Sequence, residues 1–525
     1  MLAANLFQYR LDRIGHSVSL KPFLPMIWIG GFALVNLLYI AFACPYDLAP
    51  DEAHYWEWSR HLDYCYYSKG PLVAWLIRLS CELFGNTAFA VRLPAVISGA
   101  ALLAGMYRLS GRSPWLLPAA LCVPAFSAVS VLMTIDPPCL ACWAWAAVFT
   151  LKAMNGSGRS WIAAGVFVAI GTLAKPTMLL FPVCVAAMRL FESGAQLRTL
   201  PYGSLRSFFA FLLISALGFL PMLIWNLAHD GLGFRHALGH AGANEKAPGL
   251  LGPLGFLGGQ IGLLLGLGFY AFVRAAWSNR NTTDPSTKLL WWLSVPIVVF
   301  FLLFSVRAVG QPNWAAVAYV TGFPLAIAWL VRNIHIRGMK TTVAIVAVIG
   351  LGLNFYLRFP NVARPALAQL VPNPTPLKPA PVRQLDPTAR LSGWKALAAE
   401  VDEVRTKVRT ETGRASKLAA MTWSIPGALA FYCDGKPEVY SFGIALADRF
   451  SQFEVWRPNP VLDAQAFEGD TFVYVGAALP EGTFDRMELV KVGTYREAGV
   501  PLQTWEIWVC TGFRGFAVRP EPPRY

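Results

Sequence analysis

Apolar runs of bilayer length recur along the first two thirds of this chain, and no other feature limits its fold so strongly. They lie at approximately 23 to 44, 89 to 107, 114 to 133, 137 to 153, 161 to 174, 176 to 190, 207 to 227, 250 to 273, 289 to 306, 313 to 331 and 341 to 358. A helix crossing the hydrocarbon needs about 20 apolar residues, and within lipid only helices or closed barrels satisfy every backbone group. A mean hydropathy of +0.46 over 525 residues, with 14% charged, excludes an ordinary soluble enzyme. The expected fold is a polytopic α-helical membrane protein with about 11 transmembrane helices. The runs from 161 and 176 are short, which leaves little tilt, re-entrance or extension past these limits all open. Arg10, Asp12 and Arg13 do not suit a cleavable leader, so residues 1 to 21 read as a short cytoplasmic tail.

The formal charge of +14 raises nucleic acid as a partner, but its location argues against that. From Met1 to Arg358 there are 25 Lys and Arg against 12 Asp and Glu, whereas the remainder holds 19 against 18. With the N-terminus in the cytoplasm, Arg108, Arg112, Lys152, Arg159, Arg189, Arg198, Arg206, Arg274, Arg280, Lys288, Arg332, Arg337 and Lys340 all fall on the inner side, as the positive-inside rule requires. The outer face then receives Asp51, Glu52, Lys69, Asp136, Lys175, the loop from His229 to Lys246, Arg307 and everything after Arg358.

After Phe359 the character changes. Seven prolines between Pro360 and Pro381 mark a linker over 359–390, and hydrophobicity then falls to globular levels. Within 391–525, Trp394 to Val408 has helical spacing, while 438–442, 471–475 and 504–509 read as buried strands, so an extracytoplasmic α/β domain is expected. Cys139 and Cys142 sit in an apolar helix with no partner pair, so packing is the reading taken. Cys433 and Cys510 share an oxidising compartment, and a disulfide between them is left open.

Charges beside membrane spans are expensive and therefore usually have a task. Asp51-Glu52-Ala53-His54-Tyr55 follows the first run, and Tyr66-Tyr67-Ser68-Lys69-Gly70-Pro71 comes soon after. Thr134-Ile135-Asp136-Pro137 and Leu173-Ala174-Lys175-Pro176 stand at helix mouths, and Phe304-Ser305-Val306-Arg307 precedes Asn313-Trp314. In this ordered series the chain resembles the glycosyltransferases of the protein O-mannosyltransferase and lipid A aminoarabinose transferase type, which have the membrane-embedded GT-C fold. Gly393-Trp394-Lys395 and Phe431-Tyr432 look like the C-terminal domain of the bacterial branch. The resemblance implies a bacterial inner-membrane enzyme, with a periplasmic C-terminal domain. It also implies inverting transfer of a sugar from a polyprenyl-phosphate donor to an envelope acceptor, with lipid A or another glycolipid favoured over protein.

Such a transfer needs a carboxylate to take the acceptor's proton and cations to stabilise the departing phosphate. The resemblance makes Asp51 the catalytic base, with Glu52 beside it; an N-cap role for Asp51 is the competing reading. Lys69 matches the lysine of the family's Lys-Pro-Pro sequence, which faces the lipid phosphate. Gly70 departs from that pattern and is expected to loosen the backbone. Arg307 occupies the place of a second phosphate ligand, against the alternative of an interfacial anchor. Asp136 and Lys175 are assigned to the same pocket as an ion network, or to a purely structural pair. His229, Asp230, His236 and His240 are too irregularly spaced to argue for metal, and a loop over the site is preferred. No Asp-x-Asp motif occurs in the first loop, so a divalent metal cofactor is left open without a clear motif to support it, and none is assigned to the phosphate. A lipid flippase and a protein O-glycosyltransferase are the rival classes; the flippase should carry its charges near the midplane rather than at helix ends.

Overall fold

The computed structural model describes residues 24–191, 205–240, 249–308 and 310–517. The expected tail, Arg198 and the end of the 229–246 loop lie outside these residues. The membrane part runs from α1 (Leu24–Leu38) through α2 (Pro50–Arg60), α3 (Leu72–Phe84), α4 (Ala88–Leu109), α5 (Leu116–Leu121), α6 (Pro124–Val129), α7 (Asp136–Met154), α8 (Arg159–Ala174) and α9 (Leu180–Leu190). It continues with α10 (Leu205–Leu217), α11 (Leu220–Ala228), α12 (Leu232–His240), α13 (Leu251–Leu263), α14 (Leu267–Ser278), α15 (Pro285–Trp292), α16 (Val295–Phe304), α17 (Ala316–Asn333) and α18 (Met339–Arg358).

Among the described residues six helices are long and apolar enough to cross a bilayer, and a seventh span results if the pair α13–α14 is counted as one. That pair bends by 107° across Leu264–Gly266, where Leu265 and Gly266 both take positive φ. The run expected over 114 to 133 is two short helices, because Pro124 cannot donate to the preceding turn and starts α6 afresh. Each apolar run of the sequence thus holds helix, but several are broken or short.

The span Pro312–Asn333 is 72% buried and forms the middle of the bundle, whereas Met339–Arg358 is 11% buried and faces outward. Close packing depends on small residues, as is usual where helices meet in lipid. A Cβ on Gly350 would overlap the Cys122 carbonyl, and one on Gly105 would stand 2.6 Å from the Ala144 methyl.

The C-terminal part holds α19 (Arg364–Ala368), α20 (Trp394–Thr412), α21 (Pro426–Tyr432), α22 (Gln452–Val455) and five strands, β1 (Lys417–Ala420), β2 (Val439–Ser441), β3 (Phe472–Val475), β4 (Phe484–Glu497) and β5 (Val500–Phe513). They form one mixed sheet in the order β2-β1-β3-β5-β4, parallel among the first three and antiparallel thereafter. Three expected strands and the expected helix are present. β1 and β4 were not foreseen: β1 is four residues long, and β4 is a largely exposed strand that pairs β5. Cys433 and Cys510 are both free and lie in separate apolar clusters, so the disulfide is not formed.

The proline-rich stretch is not a loose tether. Arg364 is wholly buried and donates to Asp386 at 2.7 Å, Thr388 and Ser392 at 2.9 Å, and Glu497 at 3.1 Å, tying 359–391 to the sheet. The domain in turn seats on the first loop of the membrane part. α20 begins after Gly393, which has no side chain to cap it; the Asp47 carboxylate accepts from Trp394 N at 2.8 Å instead. Gly427 on α21 lies so close to α2 that a Cβ there would stand 2.9 Å from Ala53 backbone. Leu48 N donates to the Tyr432 hydroxyl at 2.6 Å, and Trp56 meets Phe431 edge-on at 4.9 Å. One apolar cluster consequently runs from α2, α3 and α4 into α20, α21 and the sheet.

Candidate active site

α2 starts at Pro50, whose fixed φ suits the first helical position, and its N-cap is Ala49. The helix therefore does not use Asp51 as a cap: the Glu52 carboxylate reaches back to Ala49 N at 2.9 Å, leaving the Asp51 side chain 42% exposed. Its nearest cation is Arg390, 3.7 Å away in the turn Pro387–Leu391 of the C-terminal part. A half-exposed pair at that distance contributes little to stability, so Asp51 is open to a ligand.

Glu52 has a different environment. It is fully buried, and its oxygens accept from Arg92 Nη2 at 2.8 Å, Arg92 Nε at 3.1 Å and Met133 N at 2.9 Å besides Ala49 N. Arg92 also donates to the carbonyls of Tyr46 at 3.3 Å and Asp47 at 2.7 Å. Glu52 and Arg92 are thus the knot that joins the first loop, α2, α4 and the segment before α7. With its oxygens already engaged, Glu52 has no free oxygen for a reacting group, which corrects its placement beside Asp51 in the chemistry.

Lys69 sits at the end of a turn closed by Tyr66 N donating to Lys69 O at 3.1 Å. Gly70 does the opposite of loosening this segment. A Cβ there would overlap the Leu173 carbonyl at the end of α8, so only glycine lets the loop lie against α8 and bring Lys69 beside Lys175. The Lys69 ammonium makes no hydrogen bond or ion pair among the described residues. Burial, and next the charge of Lys175, push its pKa down to about 8, while Asp136 and Asp51 pull the other way.

Asp136 opens α7, and Lys175 ends α8 in the extended conformation that a following proline favours. The Lys175 ammonium donates to Asp136 Oδ1 at 2.7 Å, Asn313 Nδ2 donates to Asp136 Oδ2 at 2.8 Å, and Lys175 also reaches the Asn313 carbonyl at 3.4 Å. This mutual pairing offsets the cost of burying both charges. Asp51, Lys69, Asp136 and Lys175 therefore meet at one end of the bundle. Arg307 does not join them: it is exposed after α16 and contacts no carboxylate or polar side chain among the described residues, whereas Asn313 from the same loop enters the cluster.

Rings close the site on the domain side. His54 lies among Trp58, Trp423 and Phe453 at 5.0 to 5.6 Å. Burial, and then the Arg449 charge, hold its imidazole down at about 3, so it stays neutral and is not a proton acceptor near neutral pH. His229 bonds the Trp225 carbonyl at 2.9 Å and stacks on that indole at 4.0 Å. Among the described residues no group of three or more His, Cys, Asp or Glu could hold a metal ion.

Sequence reasoning did not single out Arg92, Arg390 or Arg449. A charge inside the apolar helix α4 was a usable signal for Arg92. Arg390 and Arg449 lie hundreds of residues from the motifs they face, and nothing local marks them.

An open carboxylate near a half-buried cation that has no partner among the described residues, with a braced ion pair behind, suits transfer of a group away from an anionic leaving group. The comparisons agree. Residues 68–225 match the family model described as dolichyl-phosphate-mannose-protein mannosyltransferase. The chain is 30% identical over 352 residues to the lipid A galacturonosyltransferase RgtD of Rhizobium johnstonii, a match covering 65% of this chain and 72% of that protein. It shares its fold with ArnT from Cupriavidus metallidurans, apo and bound to undecaprenyl phosphate, each at TM-score 0.61 over 92% of this chain and 97% of that one, at 14% and 15% identity. The chain belongs to the GT-C family of lipid A-modifying membrane glycosyltransferases.

Proposed function

We propose that this glycosyltransferase moves a sugar from a polyprenyl-phosphate donor to lipid A, with inversion, on the periplasmic face of a bacterial inner membrane. In this reading 1–358 is the catalytic membrane unit, 359–390 the connection and 391–525 a periplasmic domain. The observation that carries it is the Lys69 ammonium, half-buried and without a partner among the described residues, whose charge feels the open Asp51 carboxylate. The lipid phosphate would supply the anion that Lys69 lacks, and Asp51 would take the proton of the attacking hydroxyl. The oxygen then bonds to the anomeric carbon as the carbon–phosphate oxygen bond breaks, and the released polyprenyl phosphate stays on Lys69. Asp136, Lys175 and Asn313 position Lys69 rather than react, since their charges already answer one another. Glu52 and Arg92 hold the backbone that carries Asp51. The relative named as a lipid A galacturonosyltransferase supports lipid A as acceptor and an acidic sugar as cargo.

The test is reconstitution of the full chain in lipid nanodiscs with polyprenyl-phosphate galacturonate and lipid A, read by mass spectrometry of the acceptor. One added hexuronosyl mass with the natural chain, absent with Asp51→Asn, is the expected result. Sugar appearing on protein would favour the O-glycosyltransferase. Movement of the intact donor between leaflets without any transfer would favour the flippase.

A further inference from the structure

The segment between β2 and β3 reaches back over the cluster and carries one more cation to it. Ala447 takes a φ of 62°, and the Asp448 carboxylate fixes the turn by accepting from Trp423 N at 3.0 Å. The Arg449 guanidinium lies 4.0 Å from the centre of the Trp423 ring, and Trp423 meets His54, one helical turn beyond Asp51, at 5.6 Å. The residues that follow grip the other side of the site: Phe450 packs on Tyr67 at 5.0 Å and Gln452 accepts from Tyr67 N at 2.7 Å. Tyr67 is two residues before Lys69. Arg449 is thereby held between the helix of Asp51 and the loop of Lys69, exposed, with no acidic partner among the described residues.

The charges can be counted. Asp136 answers Lys175 at 2.7 Å, whereas neither Lys69 nor Arg449 forms an ion pair among the described residues. The Lys69 pKa responds to Arg449 as well as to Lys175, so these charges act on the same space. The phosphodiester of a polyprenyl-phosphate sugar brings a single negative charge, enough for Lys69 alone. A second cation over the same space, with no acidic partner of its own among the described residues, is matched by a second anion on the ligand.

We propose that Arg449 is a carboxylate subsite that selects a donor whose sugar is a uronic acid, gripping its carboxylate with the guanidinium fork. Two parallel N–H donors match a carboxylate in a way that a lysine cannot. The donor carboxylate is favoured over a phosphate of the acceptor because Arg449 is tied to the two elements that carry Lys69 and Asp51. The inference rests on the donor class proposed above.

Binding can be measured without turnover in the Asp51→Asn chain in nanodiscs, with polyprenyl-phosphate galacturonate, its neutral counterpart polyprenyl-phosphate galactose, and lipid A as separate probes. The galacturonate donor should bind roughly 10- to 100-fold more tightly than the galactose donor, the size expected for a hydrogen bond between charged groups. Adding Arg449→Gln should bring that ratio close to one, and Arg449→Lys should keep part of it. A ratio that Arg449→Gln leaves unchanged overturns the subsite, and so does a loss of lipid A affinity with the donor ratio intact. Failure of both donors to bind the Asp51→Asn parent would instead remove the donor class, and the subsite with it.

Discussion

Asp51 and Glu52 are neighbours in sequence with the same chemistry, yet the fold treats them as opposites. Glu52 points into the protein, where one guanidinium and two backbone amides engage its oxygens. Asp51 points out, 42% exposed, with only a distant arginine for company. The difference comes from the helix start: the residue three places after the N-cap turns back towards the cap, and the one before it turns away. A buried, saturated carboxylate stabilises geometry; an open one beside unanswered cations can react.

The largest effect that could break this contrast is in activity. Asp51→Asn should lower transfer about 10² to 10⁴-fold, the usual worth of a general base, with unchanged thermal unfolding of the purified chain. Glu52→Gln should do the reverse. It strands the buried Arg92 charge and should cost about 3–5 kcal/mol of stability, seen as reduced protein level and a lower unfolding temperature. If Asp51→Asn unfolds the chain while Glu52→Gln leaves it stable and inactive, the two roles are exchanged.

The next effect sharpens the open side. Burial holds the Lys69 pKa at about 8, so the cation is present below that pH and is lost as pH rises through it. The donor KM should climb above pH 8 in the natural chain. Lys69→Arg, which stays charged, should lack that alkaline limb even if its overall activity is lower; an unchanged limb would assign the titration to another group. The smallest effect concerns the seat of the domain. Asp47→Ala removes the acceptor at Trp394 N and should cost about 1 kcal/mol, as loss of an N-cap does. Faster limited proteolysis of the C-terminal part, with the membrane helices intact, is the sign to look for.

Much of the membrane part was legible because charge is rare there. Asp51, Lys69, Asp136 and Lys175 stand out against apolar runs, and they converge. Span boundaries were less legible where Pro124 and Gly266 break a continuous apolar pattern, since hydropathy does not register a bend. Glu52 was misjudged because its partner is 40 residues away inside a helix that reads as lipid-facing. Gly70 was misjudged because its reason is a neighbour's carbonyl and not its own turn. Arg307 follows the expected pattern of position, but the loop delivers Asn313 to the pocket instead.

The bonds from Leu48 N to Tyr432 and from Tyr67 N to Gln452 join residues 384 and 385 apart in the chain. Closing such loops is among the slowest events in folding, because chain entropy must be overcome before the contacts reward it. The amides of the first loop wait for acceptors that are made hundreds of residues later. A chain cut short before residue 452 would keep the sequence of its bundle helices and still lack the finished site. The site is therefore a late product of folding, complete only once the chain has been made at least as far as Gln452.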